Sequence, residues 1–313
     1  MMRVVILLAA ISPPLLVLGY GIAKGRGSWR FEAMWNAFLV GAVGGIAAIG
    51  CGWLIDHLLP KSGNLLLDAG AAAILVAAVP EETIKFFVLV TFAEKHVDVR
   101  RLQDLLILAM AVSLGFAMLE NFFYVISVDD WRTTASLRAI TAVPGHGING
   151  LAMGALLMAA RMPRDRRPAR IRNALLVPVV LHAAYDFPLL AIEKNVERLW
   201  LAAMWLLVIV VSSALVITLC NRMLAKAVTA DRAAGRDNVS VETNDWLIIG
   251  GIAAVAAGPL LAASAVYAKG VELASVATVL AVFPIALGID SIRTGLKRRK
   301  ERFDTGRPAS LAL

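Results

Sequence analysis

Charge is scarce in this chain. Of its 313 residues only 17% are Asp, Glu, Lys or Arg, whereas 59% are Ala, Val, Ile, Leu, Met, Phe, Trp, Tyr or Cys, and the mean hydropathy is +0.74. Such low charge and high hydrophobicity exclude an intrinsically disordered protein. They also exclude a soluble domain, because globular chains usually contain about 45–50% apolar residues even when glycine is counted. The composition therefore predicts a protein whose solvent is the lipid bilayer.

Cysteine is also rare. Only Cys51 and Cys220 occur, both inside apolar runs and far apart in the sequence. Two such residues support neither a disulfide framework nor a cysteine metal site. No internal repeat of fixed period is visible either.

Long apolar runs are abundant, and they predict an all-α polytopic membrane protein. A membrane-spanning helix needs about 20 mostly apolar residues, and nine segments satisfy this requirement. The first segment resembles a signal peptide, but Pro13-Pro14 divides it and no small-residue cleavage site follows, so we predict a retained helix. The nine predicted spans are 4–23, 33–55, 65–92, 103–126, 139–160, 174–192, 199–220, 247–268 and 272–290.

The basic residues are distributed unequally between the two sides of these spans. One side receives 7 Lys and Arg residues, the other receives 23, and Lys85 lies within a span. The positive-inside rule assigns the richer side to the cytoplasm, with the N-terminus outside and the C-terminus cytoplasmic. The net charge of +8 therefore reflects topology and predicts no nucleic-acid partner, although the basic tail at 297–300 is suited to anionic lipid.

The chain is predicted to have three regions. Residues 1–32 form the first transmembrane helix and a basic cytoplasmic loop, and residues 33–198 form a helix bundle that carries the functional residues. Residues 199–313 add further transmembrane helices, a polar stretch at 221–245 that is typical of a cytoplasmic linker or an amphipathic segment, and a basic tail. The last two spans have no ionisable residue in their interior, so we expect them to act as scaffold.

Ionisable residues within spans are functional candidates, because a charge at the bilayer centre costs about 2.5–3.5 kcal/mol on insertion scales. In this chain they are concentrated in the third to sixth spans. In the third, Lys85 projects about 40° from Glu81 and about 60° from Glu82 on a helix, so one ammonium group can serve both carboxylates. This arrangement leaves one carboxylate undercompensated and suited to general acid or base chemistry.

The next spans each add polar groups. Glu120 and Asn121 end the fourth span, and His182 and Asp186 lie at i and i+4 in the sixth, where the carboxylate can orient the imidazole. His146 lies in the fifth span between Pro144-Gly145 and Gly147, a sequence that predicts a bent or unwound helix start facing a cavity.

The predicted depths of these groups let them meet in one cavity. Glu81 and His182 lie near the middle of the membrane, whereas Glu120 and His146 lie in its outer half. Such a cavity would open towards the outer face, with Asp68 at its mouth or turned to the interface.

Small residues predict where helices approach closely. Gly150 and Gly154 form one GxxxG pair, and Gly41 and Gly45 form another. By themselves such pairs indicate packing and no chemistry.

Taken in order, these motifs resemble those of the PrsW family of intramembrane proteases, which is distantly similar to the CAAX prenyl endopeptidases and Abi proteins. The resemblance covers roughly residues 33–192. The motifs are Glu81-Glu82-x-x-Lys85, Phe116-x-x-x-Glu120-Asn121, Arg138-x7-His146-x7-Gly154 and His182-x-x-x-Asp186.

The resemblance implies a multi-pass protease of a bacterial cell membrane that cleaves a membrane-anchored, single-span protein near the outer face, typically an anti-sigma factor. It implies that Glu81 and Glu82 are the catalytic glutamates and that Glu120, His146 and His182 are the other essential polar groups. In the CAAX relatives a histidine takes the place of Glu120, so their mechanism does not transfer directly.

Two protease mechanisms are compatible with these residues. In one, Glu81 or Glu82 activates water, and His182 with Asp186, or Asn121, polarises the scissile carbonyl. In the other, His146, His182 and Glu120 hold Zn²⁺ and leave one position open for water. HExxH is absent, as are a G-x-S-G-type serine nucleophile and the GxGD motif of presenilins.

A proton- or ion-coupled transporter is the alternative from another class, since buried Glu and His residues can form a relay. Transporters of this kind usually have two related halves, and this chain shows no such symmetry. A purely structural scaffold would leave the energetic cost of the charged block unexplained.

Overall fold

The computed structural model describes residues 2–24, 31–95, 102, 104–162, 167–194, 199–233 and 235. Within these ranges every regular element is a helix, which confirms the all-α prediction. Two predicted spans, 247–268 and 272–290, lie outside the described residues, as do the basic tail and the second half of the predicted linker. The elements are α1 (Met2–Lys24), α2 (Phe31–Leu58), α3 (Leu65–Ala71), a π-helical segment (Ala72–Ala78), α4 (Val79–Lys95), α5 (Asp104–Ile126), α6 (Trp131–Ile140), α7 (Ala142–Arg161), α8 (Arg167–Glu193) and α9 (Leu199–Ala233).

Several helices are long and apolar enough to cross a membrane. In the described part of the chain four segments meet that condition, and the shorter apolar helix Val4–Gly19 accompanies them. This agrees with a multi-pass membrane protein. The four segments are Glu32–Leu58, Asp104–Ile126, Arg167–Glu193 and Leu199–Asp231.

Helix α5 occupies the centre of the bundle, with α1, α2 and α7 packed around it. The glycine pairs allow this packing. A Cβ atom on Gly150 would lie 2.6 Å from the Ala109 carbonyl oxygen of α5, and one on Gly154 would lie 2.8 Å from the Leu105 carbonyl oxygen. Gly41 meets the backbone of α5 in the same way at Val112. The prediction that these glycines permit close helix approach is confirmed.

The predicted third span is helical throughout, but it changes helix type before the two glutamates. The π-helical segment Ala72–Ala78 separates α3 from α4, and the N–H of Val79 donates to the carbonyl of Ile74, five residues back. Pro80 follows at once and has no N–H, so it cannot provide the α-helical donor for the carbonyl of Val76. Short π segments of this kind are frequent at functional sites, and this one sets the direction in which Glu81 and Glu82 project.

The helix is interrupted between α6 and α7, at Thr141, whose φ and ψ of −122° and −67° are not helical. The predicted fifth span, 139–160, therefore begins inside α6. The predicted bend of this span is present, but it lies at Thr141 and not at His146, which is the fifth residue of a helix that begins at Ala142. Pro144 is tolerated there, since the N–H groups of the first turn have no intrahelical partner.

Helix α9 is longer than the sequence indicates. It continues to Ala233, so residues 221–233 of the predicted polar linker are helical. The physical reason is a buried stripe at helical spacing, Val216, Cys220, Leu224 and Ala227, which continues past the last apolar run. Near the end of α9, Asp231 accepts a hydrogen bond of 3.0 Å from the backbone N–H of Leu102.

Candidate active site

Two adjacent glutamates in the first turn of α4 differ in their surroundings. Glu82 is completely buried, and its Oε1 lies 2.8 Å from both the Lys85 Nζ and the His182 Nδ1. Glu81 is 15% exposed and has only longer contacts, 3.5 Å to Lys85 and 3.8 Å to the His182 Nε2. Glu82 is therefore fixed by two short contacts, whereas Glu81 is held loosely at the accessible side of the cluster.

Lys85 is the cation at the centre of this cluster. Its ammonium group also lies 3.0 Å from the His146 Nδ1 and 4.0 Å from the centre of the Phe116 ring. The residue is 1% exposed, so its charge is compensated by protein groups and not by water. The sequence prediction that one ammonium group serves both glutamates is consistent with these distances.

His146 connects Lys85 to Glu120. Because Lys85 can only donate, Nδ1 of His146 is the acceptor in that contact. We therefore assign the ring proton to Nε2, which lies 2.5 Å from Glu120 Oε2. The other oxygen of Glu120 forms a 3.0 Å ion pair with Arg138 Nη2, from the last turn of α6. Glu120 therefore lies between two basic side chains.

His182 completes the cluster from α8. Its Nε2 lies 3.1 Å from Asp186 Oδ2, as the i, i+4 spacing predicts. Its Nδ1 faces Glu82, so a ring that carries two N–H groups would satisfy both contacts. The rings of His182 and His146 meet edge to face, with centroids 5.4 Å apart. The two histidines predicted from separate spans are therefore neighbours.

Asn121 lies outside this cluster, although it follows Glu120 in sequence. Its Nδ2 donates to the Ala10 carbonyl of α1 at 2.6 Å, and its Oδ1 accepts from the Arg138 Nε at 2.8 Å. Consecutive helical residues point about 100° apart, which turns Asn121 towards α1. Both polar atoms of its amide are engaged there, so the structure does not bring Asn121 to the position expected of a group that polarises a carbonyl.

Asp68 is also apart from the cluster. Its Oδ1 accepts hydrogen bonds of 2.8 Å from the backbone N–H and from the hydroxyl of Ser62. Asp68 therefore orders the loop that leads into α3.

Four of these side chains could hold a metal ion. Glu81, Glu82, His146 and His182 each offer one ligand atom, and these atoms all lie within 4.8 Å of one another. Glu120 from the ligand set predicted by sequence is not part of this group, because its carboxylate lies against Arg138 and His146. Carboxylate oxygens and imidazole nitrogens are donors that Zn²⁺ accepts.

One atom in this group favours a further cation. The Glu82 Oε2 is buried and has no hydrogen-bond partner among the residues that the structure describes. An ion in this group would share its donors with the ammonium group of Lys85.

Two contacts beside the cluster were not foreseen from the sequence. The hydroxyl of Tyr185 donates to the Thr141 Oγ1 at 2.9 Å, which joins α8 to the α6–α7 break. In the sequence Arg138 stands out only as part of a motif, and its ion pair with Glu120 gives it a role at the site. The available signal for Arg138 was its position at the outer end of a span, close to the predicted depth of Glu120.

Comparison with known proteins gives a consistent assignment. The profile described as PrsW family intramembrane metalloprotease matches residues 29–217, which include every residue of the cluster and the first half of α9. Protease PrsW of Halalkalibacterium halodurans is 34% identical over 61% of this chain and 86% of its own length. The protease PrsW of Bacillus subtilis is 29% identical over 60% of this chain and 84% of its own length, and that of Shouchella clausii is 26% identical over 64% and 94%. No solved structure matches the chain.

These matches confirm the resemblance seen in the motifs and favour a protease over a transporter. Together with the apolar helices of the chain, these matches identify the protein as a multi-pass protease of the plasma membrane. The chain belongs to the PrsW family of intramembrane metalloproteases.

Proposed function

We propose that this protease cleaves a membrane-anchored protein near the outer membrane face, with Glu81 as the general base that activates water. The observation that carries the proposal is the difference between the two glutamates. Glu82 is held at 2.8 Å by a lysine and a histidine, whereas Glu81 is partly exposed and has no contact shorter than 3.5 Å among those described. A base must reach water and exchange a proton with it, and Glu81 is the glutamate of this pair that is free to do so.

The proposed reaction conserves every atom and proton. Glu81 takes a proton from water while the water oxygen bonds to the scissile carbonyl carbon, and the carbonyl electron pair moves onto its oxygen. When that pair returns, the C–N bond breaks, and Glu81 passes its proton to the departing amine. When Glu81 takes up this proton, its long contacts with Lys85 (3.5 Å) and His182 Nε2 (3.8 Å) weaken, and the N–H groups that made them can stabilise the oxyanion. Asp186 orients His182 at 3.1 Å.

A metal-assisted form of this reaction is supported by the family description and by the donor group. Glu82, His146 and His182 would hold the ion, with Zn²⁺ as the proposed metal and both histidines neutral, because a ligating ring nitrogen carries no proton. When bound, it would supply a polarised carbonyl and a more acidic water. Glu81 keeps its role as the base in this form, because it is the donor with the longest contacts.

The proposed orientation follows from the distribution of basic residues. We infer nine spans, with the N-terminus outside and the 23 basic residues of the richer side in the cytoplasm. Residues 33–198 would then form the catalytic bundle, preceded in the sequence by residues 1–32 and followed by residues 199–313. This orientation places Glu120 and His146 in the outer half of the membrane. The proposed substrate is a single-span membrane protein with an extracytoplasmic segment beside its helix, such as an anti-sigma factor.

The test uses the full chain, purified in detergent and incubated with such a single-span substrate. Glu81→Gln, Glu82→Gln and His182→Ala are compared with the wild type and with Glu32→Gln, which alters an exposed glutamate at the start of α2. We expect Glu81→Gln to lower kcat by about 10²–10⁴-fold, the usual contribution of a general base, and Glu32→Gln to cleave normally. Cleavage that survives all three changes in the cluster would exclude the proposed mechanism.

Stability separates the roles of the two glutamates. Glu82→Gln removes the carboxylate that faces two buried cationic or polar groups, and breaking such a buried pair costs about 3–5 kcal/mol. Glu81→Gln breaks only long, partly exposed contacts. We therefore expect a much larger fall in Tm for Glu82→Gln. Equal Tm values for the two variants would contradict the division of roles.

The metal is tested separately. Metal content is measured on the wild type, Glu82→Gln and Glu120→Gln, and cleavage is measured with and without a chelator. If the protein holds a metal ion at this group, we expect Glu82→Gln to lose the metal and Glu120→Gln to retain it. Full activity of a metal-depleted sample would favour the form in which Glu81 acts without metal.

A further inference from the structure

Helix α1 contacts the site region although it precedes the family match, which begins at residue 29. Its only internal prolines are Pro13 and Pro14. In an α-helix the N–H of residue 14 would donate to the carbonyl of Ala10, and proline has no N–H. The Ala10 carbonyl therefore lacks its intrahelical donor in a fully buried position, where an unsatisfied carbonyl is costly.

Asn121 of α5 supplies the missing donor. Its Nδ2 lies 2.6 Å from the Ala10 carbonyl oxygen, and both residues are completely buried. Apolar packing accompanies this hydrogen bond, because Ala10 contacts Val125 of α5 and Ala135 of α6. Since the carbonyl accepts only from the NH₂ end of the amide, the Oδ1 end must face the opposite way.

The Oδ1 end receives a hydrogen bond from Arg138. The guanidinium Nε donates to it at 2.8 Å, and the same guanidinium lies 4.0 Å over the Tyr124 ring. Its Nη2 then forms the 3.0 Å ion pair with Glu120, whose other oxygen faces His146. A continuous series of polar contacts therefore runs from the backbone of α1 to the cluster.

We propose that Asn121 and Arg138 are positioning residues, and that α1, through the carbonyl freed by Pro14, fixes the orientation of Glu120 and His146. The proposal rests on the proposed function only in that Glu120 and His146 serve the reaction. Neither Asn121 nor any residue of α1 touches the substrate in this scheme. The chain therefore uses a helix outside the region matched by the family profile to order the site within it.

Two neighbouring prolines provide a matched pair of variants. Pro14→Ala restores a donor to the Ala10 carbonyl and weakens its need for Asn121. Pro13→Ala makes the same chemical change one residue earlier, where the restored donor serves the carbonyl of Ala9. Both variants improve helix propensity equally, so they differ only in the carbonyl that they satisfy.

The kinetic experiment measures kcat and KM for the full chain in detergent with the single-span substrate. We expect Pro14→Ala and Asn121→Leu to lower kcat with KM unchanged, the latter by about tenfold or more, given that a misplacement of about 1 Å at a site can cost about 10²-fold. Pro13→Ala should cleave like the wild type. Equal kcat for the two proline variants, or an Asn121→Leu variant that loses stability while keeping its kcat, would overturn the proposal.

A stability cycle tests the contact without any substrate. We expect Asn121→Leu to lower Tm by about 4–8 °C in the wild-type and Pro13→Ala backgrounds, because it removes two hydrogen bonds, each of about 1 kcal/mol, and each kcal/mol shifts Tm by about 2–4 °C in a chain of this size. The shift should be smaller in the Pro14→Ala background. Equal shifts in all three backgrounds would refute the link between α1 and Asn121. A wild type that cleaves no substrate would refute the proposed function. The Tm shifts of this cycle would still test the hydrogen bond between Asn121 and α1.

Discussion

Gly150 is the position where one added methyl group tests how the site depends on helix packing. It lies four residues after His146 on α7, and a Cβ there would lie 2.6 Å from the carbonyl oxygen of Ala109 on α5. Ordinary contact begins near 3.4 Å, so the two backbones must separate by about 0.8 Å. The Ala109 carbonyl belongs to the backbone of a buried helix and cannot rotate away as a side chain can.

The displacement acts directly on the cluster, because α7 carries His146 and α5 carries Glu120. Forced separation of packed groups costs about 1–3 kcal/mol. A displacement near 1 Å at a catalytic group lowers activity by about 10²-fold. We therefore expect Gly150→Ala to lower kcat by about tenfold to a hundredfold and to be less stable than a matched glycine variant by about 1–3 kcal/mol.

The matched variants lie on the same helix. A Cβ on Gly145 meets nothing within 4 Å among the described residues, and one on Gly147 meets only the Leu114 side chain at 3.7 Å. Replacing either with alanine should raise stability by up to about 1 kcal/mol through helix propensity. Tm and cleavage in detergent are measured for all three variants. If Gly150→Ala gains as much Tm as Gly145→Ala and keeps its kcat, the packing argument is refuted.

Three further changes test local features. Pro80→Ala supplies the missing N–H and favours a regular α-helix, which would turn the glutamates by about 100°. Both kcat and Tm should then fall, because Glu82 would lose its buried 2.8 Å contact with His182, and a normal kcat would contradict the role of the π segment. Tyr185→Phe removes the 2.9 Å hydrogen bond to Thr141 and should cost about 1 kcal/mol in thermal unfolding, so an unchanged Tm would show that the contact is weak. Ser113→Ala deletes a buried hydroxyl without a hydrogen-bond partner among the described residues. Its Tm should equal or exceed that of the wild type, and a clear fall would show that the hydroxyl has a partner.

The local part of the site could be predicted from the sequence. Spacing on one helix requires the Lys85 ammonium to approach both Glu81 and Glu82, and it requires His182 to meet Asp186. The observed distances of 2.8, 3.5 and 3.1 Å agree with this. The expense of burying charge further predicts that such groups gather together.

Contacts between helices could not be obtained in this way. Glu82 meets His182 across 100 residues of sequence, and this pairing depends on how α4 and α8 pack. Adjacency in sequence was also misleading for Asn121. Its side chain projects about 100° from that of Glu120 on α5, so it contacts α1 and not the cluster. The partner of Asn121 depends on a carbonyl freed by Pro14, and the packing of α1 decides which side chain reaches it.

The limits of the fold predictions have similar causes. The apolar runs identify the helices, but the stripe that carries α9 to Ala233 alternates with Arg222 and Lys226, so an average over the segment conceals it. The π segment arises from a backbone shift before Pro80, and hydrophobicity contains no information about it.

The length of α9 bears on how the protein responds to its lipid environment. Its 35 residues extend about 52 Å at 1.5 Å per residue, whereas the hydrocarbon core measures about 30 Å. Near the end of this helix, Asp231 bonds to the backbone of Leu102, just before α5 begins. The relative height of α9 and α5 is thus fixed by a protein contact, and a thinner or thicker bilayer would tilt the helices together without sliding Glu120 past its partners.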